Sequence, residues 1–182
     1  MRLSPSGLRP QDVLILCKLL SWKERKWKQI DLAHELFLSQ TEITFGLNRL
    51  IRAGLVDENK KRARRLASIE FLTHAVKFFF PPTFGRYTRG IPTALSHHAL
   101  SGIIINDDLQ TVWPHADGEI SGMSLDPIYK TAPDAAKKDP DLHRLLSIVD
   151  TIRVKSGFRV NEAAKIELTK IILKQGRQDE SK

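Results

Sequence analysis

Thr41, Phe45, Asn48, Arg49 and Arg52 lie within SQTEITFGLNRLIRAGLV, residues 39–56. Coiled as a helix, this stretch gathers Ile43, Leu47, Leu50 and Ile51 on one face. At about 100° per residue the five named residues then fall between about 140° and about 240° from Ile43, on the other face. Such side chains can read base-pair edges: Asn grips adenine through two hydrogen bonds, Arg grips guanine, and an apolar ring meets the thymine methyl group. Gln40 and Thr44 flank the start of the same surface. The expected base-facing set is therefore Gln40, Thr41, Thr44, Phe45, Asn48 and Arg49. Arg52 and the run KKRARR (Lys60, Lys61, Arg62, Arg64, Arg65) suit backbone phosphates. Each phosphate neutralised steepens the salt dependence of binding by close to one unit of logarithmic slope. Gly46 costs about 1 kcal/mol relative to Ala in a helix interior. Its place there implies close approach of a phosphate or of a neighbouring helix.

The elements that must position these residues are well marked. Ser39 followed by Glu42 makes a capping box, with Leu38 and Ile43 as its hydrophobic staple. Gly54 fits the left-handed residue that ends a helix. Upstream, PQDVLILCKLLSW (10–22) reads as a buried helix, with Pro10 in its first turn and Asp12 at its positive end. QIDLAHEL (29–36) repeats apolar residues at helical spacing, and Ala33 supplies the small residue that a tight helix crossing needs. LVD then reads as a short strand, and the basic run follows it at the position of a wing. The spacing predicts one further helix from Leu66 to the Pro81-Pro82 stop.

Three helices, a strand and a basic segment in this order outline a winged helix-turn-helix, whose third helix enters the major groove. The residues resemble the DNA-binding core of MarR-like winged-helix transcriptional regulators. Gln29, Leu32, Ala33, Leu36, Ser39, Ile43, Thr44, Leu47, Leu50, Gly54, Leu55 and Val56 match that family's pattern, over roughly residues 10–66. Phe37 stands where the family has a turn glycine. DENKKRARR allows only a stubby wing, and the family's flanking dimerisation helices have no counterpart here.

Charge agrees with a polyanionic partner. The chain of 182 residues carries a net +8, and residues 1–66 hold 14 Lys and Arg against 7 Asp and Glu. Nearly all the excess thus lies beside the candidate reading helix. The single cysteine, Cys17, excludes an internal disulfide and suits a reducing cytoplasm. VLILCKLL carries Lys18 and has Asp12 before it, which argues against a secretion signal, and no apolar run is long enough to span a membrane.

The remainder is less specific. Residues 81–102, rich in Gly, Pro, Ser and Thr, read as a loop or linker, with GRYTRG as a turn. GIIIND and QTVW read as strands, and HADGEISG holds an Asp-Gly turn. DPIYKTAPDAAKKD suits short helical turns, DPDLHRLLSIVDTIRV and VNEAAKIELTKIILK two amphipathic helices. His97, His98 and His115 read as surface histidines, not metal ligands, and Trp113, Tyr129 and Phe158 as core. No nucleophile and base stand together, so no enzyme, cofactor or metal is expected.

The expected fold is mainly α with a small β component. A winged helix-turn-helix with its following helix would occupy residues 1–80, and an α+β or helical region residues 81–182. The expected function is sequence-specific binding of double-stranded DNA by a cytoplasmic regulator of transcription, a repressor and homodimer by class, with helix 40–53 in the major groove. Residues 81–182 would serve dimerisation, chiefly through the helices after Pro140, or bind a partner protein or small-molecule effector. Two other readings use the same residues: an antitoxin-like autoregulator whose C-terminal region binds a partner protein, and a pure protein-interaction module anchored by Phe45.

Overall fold

The computed structural model describes residues 7–23, 25–58, 62–100, 110–154 and 157–174. The first three helices are α1 (Pro10–Ser21), α2 (Gln29–Leu36) and α3 (Gln40–Arg52). Phe37, in the turn between α2 and α3, takes the left-handed conformation at φ 54°, where a glycine would be free of strain. Leu38 and Ile43 are both buried behind the Ser39 cap, as a staple requires.

After α3 the chain turns at Gly54, φ 74°, into a short hairpin. Val56 bridges Ala63 in antiparallel fashion, the Asp57 N–H donates to the Arg62 carbonyl and the Arg64 N–H to the Leu55 carbonyl. The next helix begins as α4 (Arg65–Glu70), widens into a π turn over Phe71–Ala75 and ends as α5 (Val76–Phe79).

The segment expected as a loop after Pro82 is instead β1 (Phe84–Pro92), and GRYTRG lies within it. β1 pairs antiparallel with both β2 (Thr111–Pro114) and β3 (Ile120–Leu125), which run parallel to each other and close the sheet. Gly90 sits where the three strands converge, opposite Pro114 and Ile120, and a Cβ there would strike the Trp113 carbonyl. GIIIND lies outside the described residues. The chain ends in α6 (Ala132–Lys138), α7 (Pro140–Arg153) and α8 (Phe158–Lys174).

One apolar core runs from Val13 to Ile172 and draws on both sides of the Pro81-Pro82 stop. α7 is its axis: Leu142, Leu145, Leu146, Ile148, Val149 and Ile152 are all buried. This helix, expected to offer a dimer surface, spends its apolar face inside its own chain. Asp150 on α7 is also buried. It accepts hydrogen bonds from the Trp113 indole (2.7 Å) and the Thr93 hydroxyl (2.8 Å) and pairs with Arg153. Burial pushes its carboxyl pKa up, against the pull of Arg153, Thr93 and Trp113.

A charged junction ties the halves together. The Lys18 side chain on α1, 1% exposed, sets its ammonium 2.8 Å from both Glu35 on α2 and Asp139 at the start of α7. The Ser21 hydroxyl donates to the same Asp139 oxygen at 3.0 Å. Burial raises the Asp139 carboxyl, but Lys18, the Leu142 N–H and Ser21 outweigh it and hold the group below its ordinary range. No helix among the described residues is long and apolar enough to cross a membrane.

Candidate nucleic-acid interface

α3 is fixed at its start by reciprocal hydrogen bonds. The Glu42 N–H donates to the Ser39 hydroxyl at 3.2 Å, and the Ser39 N–H donates to Glu42 Oε2 at 2.9 Å. The Ser39 N–H, then its hydroxyl, lower the Glu42 carboxyl. Ile43, Leu47 and Leu50 go to the core.

Each flank of the helix is held by a different neighbour. On one flank Arg49 turns inward. Its guanidinium donates from Nε and Nη2 to the two oxygens of Asp12 on α1, both at 2.7 Å. Asp12 is fully buried and Arg49 is 9% exposed. The Asp12 hydrogen bonds raise the Arg49 pKa above its ordinary value despite burial. Arg49 was expected among the base-reading side chains. It is instead a strut between α1 and α3, because a bidentate carboxylate stands on the adjoining helix to receive it. Gly46 makes this possible. A Cβ at Gly46 would come to 2.5 Å from Ile15 Cδ1 and 3.0 Å from Asp12 Oδ1, so the close neighbour is a helix. Farther along the same flank, toward the start of α3, the Tyr129 hydroxyl donates to Glu42 Oε1 at 3.3 Å.

On the other flank the Thr44 hydroxyl lies 2.9 Å from both the Gln29 side-chain oxygen and the Gln40 carbonyl. Thr44 is half-buried and engaged with α2. Between the flanks runs an open stripe of Thr41, Phe45, Asn48 and Arg52, with Gln40 also exposed at the start. Phe45 is 57% exposed. Ile43, Leu47 and Leu50 on the opposite face are, by contrast, buried.

The hairpin follows directly from α3. Arg62 and Arg64 are exposed and Arg65 is half-buried, while Lys60 and Lys61 lie outside the described residues. Behind the hairpin a cavity of about 570 Å³ is bounded by Leu19 and Leu20 of α1, Lys23, Asp57 and residues 62–67.

Sequence reasoning missed several participants. Asp12 was read as an end-of-helix charge, and nothing in local spacing links it to a residue 37 positions later. Tyr129 was read as core but is half-buried against α3, and Lys130 beside it is exposed. Phe158, also read as core, is 82% exposed.

A second polar cluster lies elsewhere. His97 is buried, not on the surface, and its ring packs 4.3 Å from His98 and 4.4 Å from His143 between centroids. His143 Nε2 contacts the Pro92 carbonyl at 2.7 Å, and a cavity of about 470 Å³ adjoins the three rings. Burial, then His143, His98 and Arg144, push the His97 pKa down to about 3. Among the described residues no group of side chains is arranged to hold a metal ion. No protein-family model, curated protein or solved structure matches the chain.

Proposed function

We propose that the protein binds double-stranded DNA sequence-specifically and regulates transcription, laying α3 in the major groove. The observation that carries this reading is the open stripe of α3. Thr41, Phe45, Asn48 and Arg52 stand clear while both flanks of the helix are occupied by structural contacts. Asn48 supplies the adenine grip, and Phe45 and Thr41 supply apolar contact for thymine methyl groups. Arg52, Arg62 and Arg64 hold phosphates. Arg49 has no place in base reading, so the reading set contracts to Gln40, Thr41, Phe45 and Asn48.

Two half-sites about 34–36 Å apart call for two copies of the chain. The apolar face of α7 is spent inside the chain, and we place the pairing face on the α4–α5 helix. Leu66, Phe78 and Phe79 are exposed there; Phe78 and Phe79 line an apolar groove of about 540 Å³ together with Leu55, Ala67 and Phe71, and Leu66 stands outside it. A knob and a groove on the same patch suit a two-fold contact.

The test is selection of bound duplexes from a random pool with the full chain. Enrichment of a palindromic sequence, lost on Asn48→Ala, supports the reading. Retention of no duplex, or of all sequences equally, overturns it. One specific observation favours a second reading: a lone exposed Phe45 in mid-stripe also fits an anchor for a protein partner. That reading wins if Phe45→Ala breaks up an oligomer while Asn48→Ala leaves duplex binding intact.

A further inference from the structure

Resting on the DNA-binding reading above, we infer that the C-terminal half supplies a second phosphate-binding edge to the interface, made by Lys130 and Lys138 at the end of α3 opposite the hairpin.

α3 has 13 residues, so it is about 20 Å long, whereas the major groove is about 12 Å wide. A helix of that length reaches toward both phosphate strands that border the groove. At its C-terminal end the cations are evident: Arg52 on the helix and Arg62 and Arg64 on the hairpin. At its N-terminal end the helix itself offers only Gln40, Thr41 and the carboxylate of Glu42. An acidic group there with no cation beside it would repel the second strand.

The fold answers this from 87 positions away. The Tyr129 hydroxyl donates to Glu42 Oε1 and pins the 126–131 segment against the start of α3. Lys130 follows it, exposed, and close enough for its charge to help lower the Glu42 carboxyl. The neighbouring turn is treated likewise. The Lys138 ammonium at the end of α6 lies 4.3 Å from the ring of Phe37, the residue that turns the chain from α2 into α3. A cation held over a ring keeps its charge and remains available to an anion on its outer side. Lys137 is different, since Asp117 already pairs with it at 2.8 Å. Two lysines from residues 81–182 therefore border the α2–α3 turn and the head of α3. The basic excess in the first third of the chain does not reveal them.

The experiment measures affinity against salt for the full chain on the duplex selected from the random pool, together with hydroxyl-radical footprinting. Lys130→Ala and Lys138→Ala should each lower the logarithmic salt slope by about 0.9, and the double variant by about twice that. Protection should be lost at one edge of each half-site only, and Arg62→Ala should remove it at the other edge. Lys130→Arg should restore the slope, and Lys170→Ala, removing an exposed lysine of α8, should leave it unchanged. An unaltered slope and footprint in the double variant, with the wild type binding normally, overturns this inference alone. Failure of the wild type to bind any duplex overturns the DNA-binding reading, and this inference with it.

Discussion

Arg49 and Asp12 form a bidentate ion pair, with Nε and Nη2 of one each 2.7 Å from an oxygen of the other, in the seam between α3 and α1. Both residues are buried, so each charge depends on its partner for solvation. Asp12→Ala leaves a guanidinium unpaired in the interior and should destabilise the fold by about 3–5 kcal/mol. The double change Asp12→Leu with Arg49→Met should recover most of that loss. Urea unfolding of the three proteins checks both. Arg49→Ala should weaken binding to every duplex alike, by way of a disturbed fold, and not relax the choice of base at one position.

Gly46 makes the same seam tight. Gly46→Val places a branched side chain where Ile15 and Asp12 already stand. Overpacking of this kind costs about 1–3 kcal/mol. The cost should show as a lower urea midpoint with an unchanged slope of free energy against urea. A variant as stable as wild type would mean that α1 and α3 separate more easily than their contacts imply.

On the open stripe the expectation is the reverse: binding changes and stability does not. Asn48→Ala should cost about 1–3 kcal/mol on the preferred duplex and much less on others. Arg62→Ala should weaken all duplexes to a similar degree and flatten the salt dependence. Fluorescence anisotropy at two salt concentrations separates the two patterns.

The histidine cluster should make stability depend on mild acid. His97 is pushed down to about 3 and His143 is lowered, in both cases chiefly by burial. Their folded values lie below the unfolded ones, so the unfolded chain takes up protons that the folded chain refuses. The stability concerned is fully present above the ordinary histidine value of 6.5 and is lost as pH falls toward the folded values. Each proton refused lowers stability by about 1.4 kcal/mol per pH unit. Urea unfolding between neutral pH and about pH 5 should show this slope, reduced by about one proton's worth in His97→Gln. His143, His98 and Arg144 face His97, and Glu119 and Asp150 act on His143, so the variant's residual slope reports on the second ring.

The first three helices were legible because their signals are local. The Ser39–Glu42 cap, Gly54 and the apolar spacing all act within one turn of where they stand. α7 and α8 were legible for the same reason. β1 was not, because GRYTRG holds a single apolar ring, Tyr87, and no alternation of apolar and polar residues. It becomes a strand only by pairing with β2 and β3, and the cause lies in residues more than twenty positions away. Arg49 failed differently. At about 240° around the helix it lies between the open face and the core, and only Asp12 decides which way it turns. Lys18 in its apolar run was informative about what the segment is not, but its two carboxylate partners come from separate elements. Helix position was thus readable from spacing, whereas the inward or outward fate of a charged side chain depended on a distant partner.

Lys18 also bears on whether α3 is a portable part. A chain severed at Pro81-Pro82 keeps the ammonium and Glu35 but surrenders Asp139, and it bares the part of α1 that packs against α7. Grafting residues 10–80 onto another protein would transfer the lettering of α3 without the spine that keeps it legible.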